Sequence, residues 1–294
     1  MSDILVNLTI AFGLLAALCW GSSDFLAKLS SERIGALRTA LFLQYVGGLI
    51  LVLVVAQDIP RIWQFPTATY LTLGLGAINA VAAFSLFKGF EVGQLSIVSP
   101  IASSYPALSI VLAVLLLNEA IPPIQFFAVL IILFGIVLVS IQRRSYPDIL
   151  DKRRFTAGVG YALAAFLALG FIFFALKFVV HELGAFLPIL LIRLVSALVL
   201  TIMLLFSPRM HPRPNLSSYF PLVFTIGVVD TIGNICYNLG IIGGAVTVVS
   251  TISGLFSVIT ILLAFVLLKE RPAAHQIVGL LVILVGVAVV GYLP

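Results

Sequence analysis

Charged residues are scarce in this sequence. Asp, Glu, Lys and Arg make up 9% of the 294 residues, hydrophobic residues make up 62%, and the mean hydropathy is +1.25. A water-soluble domain needs about a quarter of its residues charged to cover its surface. The composition therefore excludes a soluble globular protein and predicts an integral membrane protein.

Cysteine and histidine are also few, and they lack the spacing of metal ligands. Cys19 and Cys236 lie inside apolar runs and lack metal-ligand spacing. The three histidines fall in or beside loops, and no HExxH, P-loop or GxSxG pattern occurs. We expect no metal, no cofactor, no catalytic residue and no direct drive by ATP. The net charge is +5, but the basic residues lie at helix ends beside apolar runs, where they meet lipid headgroups. We therefore expect no nucleic-acid partner.

Long apolar runs of about twenty residues, without the alternation of barrel strands, indicate membrane-spanning helices. They predict an all-α integral membrane protein with ten transmembrane helices. The last two spans of each half are separated by few residues, so each pair is expected to form an antiparallel hairpin. The predicted spans lie near 7–27, 37–56, 69–90, 95–117, 123–141, 156–180, 186–206, 219–241, 246–268 and 274–293.

An internal repeat divides the chain into two units, 1–141 and 156–294, joined by a basic linker at 142–155. Because each unit holds five crossings, an odd number, the two repeats must enter the membrane from opposite faces. Inverted repeats around a central cavity are typical of transporters that work by alternating access. The matching residues are Lys28 with Lys177 and Gly35 with Gly184 at an offset of 149, and Glu119 with Glu270 and Gly135 with Gly286 at an offset of 151.

The distribution of lysine and arginine predicts the orientation. Thirteen basic residues lie on the side of the loop between the first two helices, and two, Arg61 and Lys177, lie on the side of the termini. The positive-inside rule places the thirteen in the cytoplasm and both termini outside, in the plasma or inner membrane. The thirteen are Lys28, Arg33, Arg38, Lys88, Arg143, Arg144, Lys152, Arg153, Arg154, Arg209, Arg213, Lys269 and Arg271.

Three short motifs resemble a known family. They are Trp20-Gly21-Ser22 in the first helix, Pro100-Ile101-Ala102-Ser103-Ser104-Tyr105-Pro106 in the fourth, and Leu117-Asn118-Glu119, echoed by Leu268-Lys269-Glu270. Together with the five-plus-five repeat, these resemble the EamA-type members of the drug/metabolite transporter superfamily. The resemblance implies a basket-like bundle with a central cavity and transport of small organic molecules. Many ten-helix relatives are thought to keep their termini in the cytoplasm, which is the opposite of the charge count.

Polar residues at membrane depth are the candidate site, because such residues are costly in lipid. Asp230 shares a helical face with Asn234 and Asn238, and its repeat counterpart is Asn79. Arg193 lies a third of the way into the seventh span, and its counterpart is Gln44. These groups could form a structural hydrogen-bonding cluster or an ion pair, or they could contact a substrate or carry a proton. The candidate substrate-binding residues are Trp20, Asn79, Ser103, Tyr105, Arg193, Asp230, Asn234, Tyr237, Ser253 and Ser257.

Charged residues at helix ends favour structural roles. Lys28 and Lys177 are expected to snorkel toward the membrane surface. Lys88 and Glu91 are three apart and can pair on one face. Glu119 and Glu270, which close the hairpins, are expected to cap or anchor helices.

The sequence therefore predicts a secondary transporter or exporter that moves a small organic solute, an amino acid or another metabolite, by alternating access. Its partners would be the small-molecule substrate and membrane lipids, with a coupled proton as an open alternative. The competing hypotheses are an intramembrane enzyme or a lipid-handling membrane protein. An enzyme would need a converging set of acid, base or metal ligands that the sequence does not offer.

Overall fold

A computed structural model describes residues 2–118, 122–141, 149–206, 216–243, 252–253 and 255–292. Within these ranges the regular structure is helical. Glu119, part of the linker (142–148) and part of the predicted ninth span (246–251) lie outside the described residues. The helices are α1 Ser2–Ile34, α2 Ala36–Val54, α3 Arg61–Gln64, α4 Pro66–Val92, α5 Leu95–Ser103, α6 Tyr105–Leu117, α7 Pro123–Ser140, α8 Ile149–Leu183, α9 Leu187–Phe206, α10 Leu216–Gly243, α11 Phe256–Leu267 and α12 Ala274–Tyr292.

Seven helical segments of the described chain are long and apolar enough to cross a membrane. They are Ile10–Ile34, Ala36–Val54, Pro66–Val92, Leu95–Leu117, Lys152–Leu183, Leu187–Phe206 and Ser218–Gly240. Three shorter apolar helices cover Phe126–Ser140, Phe256–Leu267 and Ala274–Val289. The protein is therefore an all-helical, multi-pass membrane protein.

The segment Leu95–Leu117 is two helices, because α5 and α6 meet at Ser104. Pro100 inside α5 and Pro106 at the start of α6 each remove a backbone donor, which weakens the hydrogen-bond ladder around the junction. The hydroxyl of Ser104 donates to the Pro100 carbonyl over 2.7 Å, so this acceptor remains satisfied. The break places the first residue of α6, Tyr105, in the interior of the bundle.

The first helix is longer than predicted. The sequence places its end near residue 27, but α1 continues to Ile34. The prediction was wrong because it took Lys28 to mark the membrane surface, whereas the Lys28 side chain is buried within the bundle. Residues just before Lys28 are consequently deeper in the protein than the sequence suggests.

The two halves of the chain interlock. The first helix of each half packs against the third long helix of the other half, since α1 lies along α10 and α4 lies along α8. The second helices of the halves, α2 and α9, also contact each other. The core between them is thus built from both halves.

The helix α7 packs mainly against α12 and has few contacts with α6, its neighbour in sequence. The predicted hairpin of 95–117 with 123–141 is therefore not a closely packed pair. Gly135 and Gly286 explain the choice of partner: a Cβ at Gly135 would lie 2.7 Å from Cγ1 of Ile283, and one at Gly286 would lie 2.5 Å from Cγ1 of Ile132. Small residues let two helices approach closely in a membrane. Residues later in α7 contact residues earlier in α12: Gly286 lies against Ile132, and Gly279 lies against Val139. The two helices therefore run antiparallel.

Left-handed backbone conformations occur in matching positions of the two halves. Among the described residues, positive φ is found at Gly35 (88°) and Gly184 (81°), and at Asn118 (52°) and Lys269 (55°). These are the residues that the repeat offsets of 149 and 151 pair with one another. Glycine adopts this conformation without steric cost, which suits the turns that follow α1 and α8.

Candidate functional site

A cavity of about 240 Å³ lies in the centre of the bundle and is lined by helices of both halves. Most of its wall is apolar, with aromatic rings from Trp20, Phe87, Tyr105, Phe173 and Phe256. Three charged residues of the described chain line it, namely Asp24, Arg193 and Asp230. An apolar cavity with a few convergent polar groups is the usual form of a small-molecule site.

Arg193 and Asp230 form an ion pair in the cavity wall between α9 and α10. The Arg193 side chain is only 6% exposed, and its second nitrogen, Nη1, donates to the Leu43 carbonyl over 3.3 Å. The Asp230 side chain keeps 20% of its surface exposed. The sequence hypothesis of a pair between these residues is confirmed, and because both also line the cavity, the pair remains within reach of a bound solute.

Amide side chains extend this polar strip. The Nδ2 of Asn234 donates to the Asp230 carboxylate over 3.2 Å and to the Asp230 carbonyl over 2.9 Å. Asn79, the repeat counterpart of Asp230, donates to the hydroxyl of Ser196 over 3.2 Å. Gln44, the counterpart of Arg193, also lines the cavity. The second half thus carries two opposite charges where the first half carries two neutral amides.

Aromatic rings enclose the cavity on two sides. The Trp20 ring lies 5.4 Å from that of Tyr237 and 5.9 Å, edge to face, from that of Phe256. Tyr105 stacks on Phe173 with 4.2 Å between ring centroids. Trp20 and Tyr105 therefore line the cavity, whereas Tyr237 packs against Trp20 and does not line it.

The three candidate serines do not line the cavity. Ser103, Ser253 and Ser257 are all buried, with at most 5% exposed surface. The Ser103 hydroxyl donates to the carbonyl of Pro100 over 3.1 Å, which directs it into its own helix. The sequence analysis named these residues as candidates for substrate binding, but they are buried in the bundle away from the cavity.

Asp24 is a cavity residue that sequence reasoning missed. It is half-buried on α1, and its Oδ2 accepts a hydrogen bond from the Ser99 hydroxyl of α5 over 2.7 Å. The signal was present, because Asp24 is an acidic residue inside an apolar run, three positions after Gly21. It was overlooked because the predicted span ended at residue 27, which made Asp24 a residue of the helix end.

Lys28 lies one turn beyond Asp24 on the same face of α1. Its side chain is buried, and Nζ donates to the carbonyls of Phe90 and Gly93 over 2.6 and 2.8 Å. It also forms an ion pair with Glu32 at 2.8 Å. The prediction that Lys28 snorkels was wrong, because the last carbonyls of α4 attract a cation into the bundle. Lys177, its repeat counterpart, is exposed and lies 5.5 Å from the ring centroids of Phe174 and Phe178.

Two glutamates cap helix N-termini next to Lys28. Glu91 accepts the backbone N–H of Ala36 at 2.8 Å and pairs with Lys88, as the sequence spacing suggested. Glu270 accepts the N–H groups of Leu95 and Ser96 at 2.9 and 2.8 Å. The predicted capping role of Glu270 is confirmed, although the helix that it caps, α5, belongs to the other half of the chain. This end of the bundle is held together by polar contacts between the halves.

The fold is that of a multi-pass membrane protein with a central, mostly apolar cavity. A sequence profile of the EamA-like transporter family matches the chain twice, over residues 7–141 and 156–292. The chain belongs to this family, and thus to the drug/metabolite transporter superfamily that its motifs resemble. It is a membrane protein of a transporter class.

Three individual proteins are similar to this chain. An uncharacterized protein of Methanocaldococcus jannaschii is 28% identical over 139 residues, which are 47% of this chain and 99% of that protein. Phosphoenolpyruvate/phosphate translocator 2, chloroplastic, of Arabidopsis thaliana is 32% identical over 85 residues, 29% of this chain and 22% of the translocator. The crystal structure of another protein has a TM-score of 0.61 and 17% sequence identity, and the match covers 96% of this chain and 95% of that one. The last likeness concerns the fold alone.

Proposed function

We propose that this protein is a secondary transporter that moves a small organic solute by alternating access between two inverted five-helix repeats, 1–141 and 156–294. The observation that carries the proposal is the position of the Arg193–Asp230 pair, which faces a central cavity lined by both halves. A site at the interface between repeats is reached from either side of the membrane when the repeats rock against each other. The charged and aromatic groups in its wall give a solute groups to bind.

The geometry of α7 and α12 supports inverted repeats. These helices are equivalent in the repeat and run antiparallel. Their contact is reciprocal, since Gly135 faces Ile283 while Gly286 faces Ile132, and Ile132 and Ile283 are themselves 151 positions apart. A contact in which equivalent residues exchange places is the mark of a two-fold relation. An odd number of crossings per repeat produces such a relation about an axis in the membrane plane.

The ten-helix count is part of the same proposal. The seven segments that meet the length and composition of a membrane span, together with the three shorter apolar helices, make ten. The Methanocaldococcus jannaschii relative supports a duplicated origin, because nearly its whole length corresponds to about half of this chain. We propose five crossings from each repeat, with the basic linker at 142–155 between them.

The enzyme and lipid-handling alternatives have less support. Among the described residues no group of three or more His, Cys, Asp or Glu side chains is placed to hold a metal ion. The family of this chain consists of transporters, and the charged residues of its cavity are an ion pair and one further carboxylate. The translocator relative is named for phosphoenolpyruvate and phosphate, which are anions. In this chain, however, the described cationic group of the cavity is already paired with Asp230.

Flux measurements in proteoliposomes test the transport function. We expect purified protein to accelerate the movement of its solute down a gradient, with the solute recovered chemically unchanged. The Arg193→Ala variant is expected to lose this flux, because Asp230 loses its partner and the Leu43 carbonyl its donor. Chemical conversion of the solute without relocation would support the enzyme alternative, and flux equal to that of protein-free liposomes for every solute class would contradict the proposal.

Thiol labelling tests the proposed orientation, in which the basic loops are cytoplasmic and the termini lie outside. In a variant without Cys19 and Cys236, we expect Ser145→Cys in the linker to react with an impermeant reagent only from the cytoplasmic side, because its five basic residues resist translocation. The control is Gln57→Cys, in the exposed turn after α2, which should react only from outside. The reverse pattern would place the termini in the cytoplasm.

A further inference from the structure

The cavity has an excess of negative charge. Its described charged residues are the carboxylates of Asp24 and Asp230 and the guanidinium of Arg193. Asp230 is paired with Arg193, so these two charges offset each other. Among the described residues of the lining, the carboxylate of Asp24 is therefore the charge that no opposite charge offsets.

The neighbours of Asp24 are hydroxyl groups. The hydroxyl of Ser99 donates to its Oδ2 over 2.7 Å, and the hydroxyl of Thr260 lies beside it. Within the described part of the chain, Asp24 has no ion pair with a lysine, arginine or histidine. Lys28, one turn away, directs its ammonium to the end of α4 and to Glu32. A carboxylate in a largely apolar cavity without a protein cation is stable when a bound cation completes it.

The walls around this carboxylate also favour a cation. Rings of Trp20, Tyr105 and Phe256 line the same cavity, and aromatic faces attract organic cations as well as apolar groups. The volume of about 240 Å³ fits a small metabolite and is below that of a typical drug-sized pocket. An apolar or aromatic body would occupy most of this space, with one charged nitrogen at the carboxylate.

From these contacts we propose, building on the proposed transport function, that the substrate is a small organic amine whose ammonium group binds Asp24 and whose apolar body packs among Trp20, Tyr105 and Phe256. The amine bears no carboxylate, because the guanidinium that would bind one is held by Asp230 and the Leu43 carbonyl. Ser99 holds Asp24 in place by hydrogen bonding and leaves its charge for the ligand.

Trp20 provides a direct measurement of binding. The chain has two tryptophans, and the other one, Trp63, is 84% exposed, so Trp63→Phe leaves fluorescence from the cavity alone. In this background the protein is titrated with four probes that share a phenyl ring on a short chain: 2-phenylethylamine, phenylacetamide, 3-phenylpropionate and phenylalanine. We expect the amine to bind about ten times more tightly than the neutral amide, a difference of about 1.4 kcal/mol, because a hydrogen bond between charged groups is stronger than one to a neutral amide. The acid is expected to bind most weakly, since its carboxylate is repelled by that of Asp24.

Substitutions assign the preference to Asp24. We expect Asp24→Asn to weaken the binding of 2-phenylethylamine about ten-fold and to leave that of phenylacetamide unchanged. Ser99→Ala, which keeps the charge, is expected to weaken amine binding less than about three-fold. The probe series on the Trp63→Phe protein alone remains decisive if Asp24→Asn does not fold.

Two results would overturn the assignment. One is an amine that binds no more tightly than the amide; the other is phenylalanine binding more tightly than 2-phenylethylamine, which would show that Arg193 accepts a substrate carboxylate. The transport proposal is tested separately, by flux of the bound probe in proteoliposomes. Binding without flux would contradict transport and leave the amine site intact. Flux without a preference for the amine would support transport and contradict the amine site.

Discussion

Asp230→Asn is expected to abolish solute flux while the protein remains folded and monodisperse in detergent. The substitution keeps the shape of the side chain and its capacity to accept from Arg193, but it removes the charge. The guanidinium of Arg193, 6% exposed, then lacks a carboxylate. Breaking a buried ion pair in this way costs about 3–5 kcal/mol, and less where a hydrogen bond survives, so we expect a lower Tm as well.

The double variant Arg193→Gln with Asp230→Asn separates the two effects. It gives the second half the residues that the first half has at the equivalent positions, Gln44 and Asn79. Because no unpaired charge remains in the wall, we expect its Tm to recover toward that of the unsubstituted protein. Flux is expected to stay lost, since the cavity wall no longer carries the charged pair on which the proposed transport depends.

The measurements are Tm and proteoliposome flux for the single and double variants. The matched control is Asp58→Asn, which removes a carboxylate in the turn before α3 that pairs with Arg61, the first residue of α3, at 3.2 Å. It should change neither quantity appreciably, because exposed pairs contribute about 0–1 kcal/mol. Recovery of flux in the double variant would show that the pair is structural and that its charge has no part in transport.

The pair itself was accessible from the sequence. Asp230 and Arg193 are charges deep in apolar runs, and such residues are expected to meet one another or a cavity. The repeat added the comparison with Asn79 and Gln44, which singled out the second half as the charged one. Six of the ten candidate residues line the cavity, and Tyr237 touches Trp20. Charge at depth and aromatic character were therefore good indicators of position.

The ends of the helices and the pairs of helices that pack together could not be predicted from the sequence in the same way. A span read from hydropathy ends at the first cation, so Lys28 was placed at the membrane surface and Asp24 beside it. In the structure α1 extends to Ile34, and the ammonium of Lys28 is accommodated inside the bundle because it donates hydrogen bonds to the carbonyls of Phe90 and Gly93. These carbonyls are more than sixty residues from Lys28 in sequence, so no local sequence pattern predicts the contact.

Partner choice failed for a related reason. A short loop favours packing of consecutive helices, which predicted α6 against α7. The observed partner of α7 is α12, selected by the fit of Gly135 and Gly286 against isoleucines of the opposite helix. Glycines spaced for close approach are visible in the sequence, but the helix that approaches them is not. The serines show the same limit, since a hydroxyl on a helix can face a cavity or a neighbouring helix.

We propose that Lys28 closes one end of the cavity in the alternating access proposed above. It ties α1 to the last turn of α4, one turn from Asp24, on the side where Glu91 and Glu270 cap helices of the bundle. For the solute to leave on this side, the bonds from Nζ to Phe90 and Gly93 must break. Alternating access requires such a reversible closure at each end.

Lys28→Met is accordingly expected to open the cavity toward the side of the loop between α1 and α2. Methionine fills similar volume but leaves the two carbonyls without their donor, which destabilises the closed arrangement by about 2–4 kcal/mol and lowers Tm. The reporter is Ser23→Cys, a cavity-lining position on α1, in a protein without Cys19 and Cys236. An impermeant thiol reagent is added only on the side from which Ser145→Cys reacts.

We expect Lys28→Met to accelerate labelling of this cysteine about ten-fold or more, since each 1.4 kcal/mol lost by the closed state raises the open population about ten-fold. Lys177→Met is the matched control, because Lys177 is the repeat counterpart of Lys28 but is exposed and contacts aromatic rings. In the Lys177→Met variant, the labelling rate of the cysteine at position 23 should change less than about two-fold. Equal rates in both variants and in the unsubstituted protein would show that Lys28 only joins α1 to α4 and that the closure lies elsewhere.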